Sequence, residues 1–240
     1  MSDQPAVLVT GASGGIGRCV VADLARRGHR VIAAIAAGEA ADEASPAVAS
    51  FGVDVTDTRS VTDLFASVGE VTDRLDGLVV AAGVLEDVPF RELGEDGWRR
   101  TLSVNLDGAY RTVAGALPLL DRSPSAAIVL LTSQLAYSGG PNAVAYSASK
   151  AGLLGFARAL ARDLGPAIRV NTVAPGPINT PMTAAFADVP GWVEQKTSRQ
   201  VMRRFGEPGE VSSAIAYLLS EEASFFTGQT LSPNGGGVML

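Results

Sequence analysis

Tyr146 and Lys150 stand four residues apart in the run Tyr146-Ser147-Ala148-Ser149-Lys150. On a helix that spacing puts both side chains on one face. A free phenol loses its proton near pH ~10 and is a poor acid or base at neutrality. A nearby ammonium favours the tyrosinate and lowers that value, which suits general acid–base catalysis. Ser133 lies 13 residues before Tyr146. A short loop can bring its hydroxyl back to the phenol, where it would donate to a carbonyl that becomes an alkoxide. Taken singly, each feature has a plainer reading. Tyr146 could be a surface ring packed on a lysine stem, and Ser133 could simply finish a strand.

A second chemistry lies near the start, in Thr10-Gly11-Ala12-Ser13-Gly14-Gly15-Ile16-Gly17. Glycines at this spacing let a backbone turn tightly and approach a pyrophosphate. The helix that follows offers free N–H groups and a positive dipole end to the anion.

Both groups need a scaffold, and the hydrophobic pattern supplies one. Continuous apolar runs at 6–10, 31–35, 77–82, 127–132 and 168–174 suit strands buried on both faces. A shorter strand is expected at Val53-Asp54-Val55, with a loop or weak helix before it at 36–50. A last strand over 228–232 runs into Pro233 and should lie at a sheet edge. Between these runs lie amphipathic stretches, led by Ile16, Cys19, Val20 and Leu24 and by Val61, Leu64, Phe65 and Val68. Long helices are expected at 97–120 and 145–164, and a late one through Val211, Ile215 and Leu218. The alternation predicts one α/β domain over 1–240. It is a doubly wound parallel sheet of about seven strands with helices on both faces. Segment 180–208, with its prolines and glycine, reads as a lid.

Composition removes several function classes. The chain has 240 residues, 47% hydrophobic and 18% charged, so it can bury a sizeable core. Its net charge of −6 argues against nucleic acid as a partner. Met1–Pro5 lack a signal peptide's basic start, and no run is long enough for a membrane span. One cysteine, Cys19, fits a reduced cytoplasmic protein. One histidine, His29, excludes a His-rich metal site, and its turn 26–30 suggests solvated surface.

Together these motifs resemble the short-chain dehydrogenase/reductase family along nearly the whole chain, in the 3-oxoacyl-[acyl-carrier-protein] reductase branch. Thr10, Gly11, Gly15 and Gly17 match its Thr-Gly-x-x-x-Gly-x-Gly. Val104-Asn105-Leu106 resembles the segment bearing the family's asparagine. Ser133, Tyr146 and Lys150 match its serine, tyrosine and lysine. Pro175-Gly176-Pro177-Ile178-Asn179-Thr180 and Asn234-Gly235-Gly236 resemble two further family segments. The resemblance implies a Rossmann fold and a hydride transfer between a nicotinamide cofactor and a ketone or secondary alcohol. In it Tyr146 donates the proton and Ser133 orients the carbonyl. Lys150 holds the nicotinamide ribose and lowers the Tyr146 pKa, and Asn105 keeps a relay water in place. It also implies that Gly11, Ser13, Gly14, Gly15, Ile16, Gly17, Ile35, Asp54, Val55, Ala81, Ala82, Gly83, Pro175, Gly176, Ile178 and Thr180 bind the cofactor, together with Tyr146 and Lys150. No metal is implied.

The chain departs from the pattern in two places. Val80-Ala81-Ala82-Gly83 stands where many members have Asn-Asn-Ala-Gly, so two amides are missing. Members using NAD often have Asp at the position of Ile35. Those using NADP often have Arg at that of Ala36 or Gly14. Neither signal is present, and no Lys or Arg falls between Val31 and Thr58. The absent aspartate tips the reading from NAD toward NADP. Val84, Leu85, Gln134, Leu135, Tyr137, Met182, Phe186 and Trp192 are expected to wall an apolar substrate pocket for a small-molecule or acyl-thioester carbonyl. The two long helices should pair across a twofold axis in a homotetramer. The competing reading is a non-catalytic nucleotide-binding regulatory protein on the same scaffold.

Overall fold

The apolar runs form the central strands of the sheet, in a computed structural model that describes residues 4–184, 189 and 191–239. Strands β1 (Ala6–Thr10) and β2 (Arg30–Ala36) bracket helix α1 (Gly15–Arg26). Next come β3 (Ala49–Val53), α2 (Thr58–Val71) and β4 (Gly77–Val80). Helix α3 (Glu95–Leu102) passes through a π-helical turn, Ser103–Asp107, into α4 (Gly108–Leu120). The chain continues through β5 (Ala126–Leu131), α5 (Leu135–Ser138), α6 (Val144–Asp163) and β6 (Ile168–Val173). Short helices α7 (Pro181–Ala184) and α8 (Trp192–Thr197) precede α9 (Pro208–Leu219) and β7 (Thr230–Leu231).

The seven strands form one parallel sheet in the order β3-β2-β1-β4-β5-β6-β7. Strand alternation sends Leu8, Ile32, Leu78 and Ile128 to one face, against α2, α4 and α6. Val7, Val9, Val31, Val79 and Val129 go to the other, against α1 and α9. Each fully buried Val, Leu or Ile contributes roughly 1.5–3 kcal/mol, so these faces fix the register. The order reverses direction between β1 and β4. Ligands bind at that switch point, outside the carboxyl ends of the strands.

The structure corrects the sequence reading at three points of the fold. The third strand is Ala49–Val53, paired with Ile32–Ala36, so Asp54 and Val55 follow the strand. It lies at an edge with only Val53 fully buried, so its apolar signal is weak. The helix expected over 97–120 starts at Glu95 and carries the π turn in its middle. His29 is half-buried, its Nδ1 has no hydrogen-bond partner, and burial holds its pKa below the ordinary value. On the two long helices, Ala109, Val113 and Leu153 belong to the core. The outward apolar surface there is carried by Tyr110, which meets Phe156 edge-on at 6.5 Å. As expected, β7 is an edge strand, bonded only to β6. Among the described residues, no helix is long and apolar enough to cross a membrane. None of their His, Cys, Asp and Glu side chains cluster to hold a metal.

Candidate active site

A cavity of about 770 Å³ opens along the carboxyl ends of the strands. The glycine loop forms one end. Gly11 adopts φ +66°, and a Cβ on it would stand 2.6 Å from the Ala82 nitrogen and 2.7 Å from the Ala81 carbonyl carbon. A Cβ on Gly17 would fall 2.0 Å from the Gly11 oxygen. Only glycine fits this close approach of loop, helix and β4 end. Gly14 caps α1 without a side-chain hydrogen bond, and the first turn carries no acidic residue. Its free N–H groups and positive dipole end face the cavity, which is the cradle a pyrophosphate needs.

The substituted segment after β4 keeps that cradle. The Ala82 N–H donates to Thr10 Oγ1 at 3.5 Å, a long bond between the β4 end and the end of β1. Thr180 leans on the loop from the far wall, where a Cβ on Gly15 would meet its Cβ at 2.8 Å. Asp54 is exposed at the adenosine end. Its Oδ1 accepts from the Thr56 N–H at 2.8 Å and the Thr56 hydroxyl at 2.7 Å, which lowers its pKa.

Ser133, Tyr146 and Lys150 meet at the middle of the cavity. Ser133 follows β5 and Tyr146 lies in the first turn of α6. The Ser133 hydroxyl acts on the phenol to pull its pKa down, but burial outweighs this and holds it above its ordinary value. The sequence reading expected the reverse. Lys150 Nζ lies 5.6 Å from the Tyr146 ring centroid and donates to the Leu131 carbonyl at 2.8 Å. The shared helix face is real, but the lysine head is turned to the end of β5. Only 4% exposed, it has its own pKa lowered to about 8 by burial.

Asn105 stands behind the cavity wall, in the π turn. The extra residue of a π turn reorients side chains and is common at functional sites. Its Oδ1 accepts from the Val84 N–H at 2.8 Å. Its Nδ2 donates to the Val84 carbonyl and to Ser149 Oγ, both at 3.0 Å. Ser149 Oγ in turn donates to the Tyr146 carbonyl at 2.7 Å. Asn105 therefore ties the loop after β4 to the start of α6, and both amide donors are committed. A Cβ on Gly83 would lie 3.2 Å from Asn105 Oδ1 and 3.4 Å from Lys150 Nζ, so glycine leaves a small space that both atoms border.

Every sequence-named cofactor residue lines this cavity, from Gly11 to Thr180. Val84, Leu85, Gln134, Leu135, Met182 and Trp192 line it as well, whereas Tyr137 does not. Phe186 and Pro190 lie outside the described residues. Sequence reasoning missed Ser149, Arg18 and Lys196. Ser149 had a usable signal, being three residues after Tyr146 on the same helix. Arg18 and Lys196 are charges on helices, which read as solvated faces until the cavity is seen.

The fold and the cavity define a nucleotide-dependent oxidoreductase site, and the chain belongs to the short-chain dehydrogenase/reductase family. The family model described as "Enoyl-(Acyl carrier protein) reductase" matches residues 11–237. The 3-oxoacyl-[acyl-carrier-protein] reductase FabG of Aquifex aeolicus is 35% identical over 239 residues, covering 95% of each chain. The Thermotoga maritima protein of the same name is 35% identical over 240 residues, covering 97% of each. The solved structure of Thermoplasma acidophilum aldohexose dehydrogenase is 34% identical, with a TM-score of 0.88, covering 97% of this chain and 93% of that one. The protein is thus an NAD(P)-dependent enzyme that interconverts carbonyl and alcohol groups.

Proposed function

We propose that the chain is an NADP(H)-dependent ketoreductase acting on a medium-sized apolar ketone, with 3-oxoacyl thioesters the first class to test. The observation that carries this is the shared placement of Ser133 and Tyr146 in one cavity, between a dinucleotide cradle and an apolar wall. Val84, Leu85, Leu135, Met182 and Trp192 offer few fixed charges, which suits an acyl chain better than a sugar. The names of the curated relatives point the same way.

Bound nicotinamide supplies the hydride. In reduction, the Tyr146 and Ser133 hydroxyls donate to the substrate carbonyl oxygen. As that oxygen gains charge, the phenolic proton passes to it and a tyrosinate is left. Burial raises the phenol pKa, so it stays protonated at neutral pH, and proton transfer depends on the charge that develops on the carbonyl oxygen. The Lys150 ammonium stabilises the tyrosinate once it forms. Asn105 acts as a positioning residue, joining the Val84 backbone to Ser149 and through it to the start of α6.

The same reading places the protein in the cytoplasm. It forms a homotetramer through α4 and α6, where Tyr110 and Val144 are exposed. Light scattering at micromolar concentration tests the assembly, and a monomeric mass would refute it. The decisive experiment is turnover of 3-oxoacyl thioesters, 2-enoyl thioesters, aliphatic ketones and aldohexoses with each nicotinamide. Reduction of ketones or 3-oxoacyl thioesters is expected, and Tyr146→Phe should lower its kcat by about 10²–10⁴-fold while cofactor affinity holds. Cofactor binding without turnover anywhere in the panel would support the non-catalytic alternative. Turnover confined to aldohexoses or enoyl thioesters would overturn the substrate class.

A further inference from the structure

We propose that Arg18 recognises the 2′-phosphate of NADP(H), in place of the uncharged positions Gly14 and Ala36. This deepens the cofactor reading above and rests on it.

Three cations line the cavity among the described residues: Arg18, Lys150 and Lys196. Lys150 is buried at the reacting centre, and Lys196 sits on α8 with its Nζ 5.2 Å from the Trp192 ring centroid. That leaves Arg18 for the adenosine end. It lies in the first turn of α1 and folds back over the glycine loop, donating from Nη2 to the Ser13 carbonyl at 2.9 Å. None of the ion pairs among the described residues includes it. One donor of five is spent on Ser13, so the rest of the guanidinium fork is available to a phosphate.

The neighbouring geometry favours this use. A Cβ on Gly14 would meet only the Gly11 oxygen, at 3.3 Å, so the space over that loop position is open. In a doubly wound fold the adenosine ribose lies at the end of the second strand. Here that end is Ala36 and Ala37, which line the same cavity. The loop is tied to β2 by the Ala12 N–H, which donates to the Ala34 carbonyl at 3.1 Å. The Ser13 contact holds the guanidinium in place, so less side-chain freedom is lost on binding. Glu39 lies on the same border, after the turn at Gly38, and opposes a phosphate there. The two charges set the preference between the cofactors, Arg18 for NADP(H) and Glu39 against it.

Calorimetric titration with adenosine 2′,5′-bisphosphate and adenosine 5′-monophosphate tests this without turnover. The wild type should bind the bisphosphate more tightly. Arg18→Ala should weaken the bisphosphate about tenfold and leave the monophosphate within about twofold, a loss fitting one partly exposed charge-assisted contact. Arg18→Lys should keep part of the difference, and Glu39→Gln should tighten the bisphosphate by a few fold. Arg18 is exposed, so the variants should melt with the wild type and the comparison should survive. If the wild type prefers the bisphosphate and Arg18→Ala keeps that preference, the Arg18 assignment fails while the NADP reading stands. Equal loss of both probes in Arg18→Ala shows a loop-shaping role and also overturns it. No preference in the wild type overturns the cofactor reading and this proposal together.

Discussion

At the glycine loop, backbone atoms decide which residue is tolerated; under α7 and α8, exposed side chains face the same cavity with far less holding them. Gly11 and Gly17 leave no room for a methyl group, and Thr180 closes against Gly15. Across the cleft, Met182 is 42% exposed. The cofactor end is therefore shaped by strand ends and helix starts that the core already fixes. The substrate end depends on side chains carried by two helices of four and six residues. A cradle built this way binds one cofactor class, whereas a wall built from short helices can change its substrate by changing a few residues.

The largest test of this contrast is Gly17→Ala. Its methyl group would sit 2.0 Å from the Gly11 oxygen, so the loop must move. Overpacking of a tight site costs about 1–3 kcal/mol, and the shifted N–H groups would also miss the pyrophosphate. Cofactor affinity should fall about a hundredfold or more. Met182→Ala, at the other end, should leave cofactor affinity within about twofold and alter only substrate KM. Titration of both variants with NADPH decides. Equal cofactor losses in the two would end the distinction between a rigid cradle and a tolerant wall.

A buried charge lies where the two ends meet, and it sharpens the contrast in stability terms. Lys150 has a pKa near 8 in the folded protein, below its unfolded value of about 10.5. Below pH 8 both states carry the proton, and the folded state bears the full cost of the buried cation. Between pH 8 and 10.5 the unfolded state binds more protons, so stability contributed at this site rises with pH. Lys150→Met should therefore be more stable than the wild type by roughly 1–2 kcal/mol at pH 7. Loss of the bond to the Leu131 carbonyl takes back part of the gain. The advantage should shrink toward pH 10.5 in urea melts, while cofactor affinity falls at every pH. A difference that does not vary with pH would mean that the lysine head is solvated.

Much of this was legible in the sequence, for identifiable reasons. The continuous apolar runs at β1, β2, β4, β5 and β6 announced strands buried on both faces. Glycines placed directly after the first strand announced the cradle. β3 was misplaced because an edge strand made of Ala49, Ser50 and Gly52 carries little hydrophobic signal. The π turn at Asn105 was invisible, since a one-residue insertion leaves the helical pattern nearly intact. The direction of the Tyr146 shift could not come from spacing alone. It depends on whether burial or the neighbouring ammonium dominates, and on where the lysine head turns. Arg18 went unweighed because a charge on an amphipathic helix ordinarily faces water.

The smallest expected effect concerns the lid, where the structure divides a segment that the sequence treats as uniform. Its later part is tied down: Gln200 Nε2 donates to the Asn234 carbonyl at 3.1 Å, and the Met202 N–H donates to the Gly235 carbonyl at 3.0 Å. Gly206 is bonded on both sides, donating to Pro177 and accepting from Asn179. These bonds anchor 200–206 to the nicotinamide-side loop and to the C-terminal segment. Among the described residues α7 and α8 are held more locally: the Thr183 hydroxyl donates to the Ile178 carbonyl at 2.6 Å, and Trp192 reaches Phe205 by a ring contact at 5.9 Å. Closure over a bound substrate should therefore involve α7 and α8 and pivot on 200–206. In a Trp98→Phe background, Trp192 emission should shift when cofactor and a substrate analogue are both present. Amide exchange should slow over the described part of 181–197 and stay slow throughout at 200–206. Unchanged emission with unchanged exchange at α7 and α8 would show a wall packed permanently on the sheet. Fast exchange at 200–206 in the free protein would instead remove the pivot and return the lid to a single moving piece.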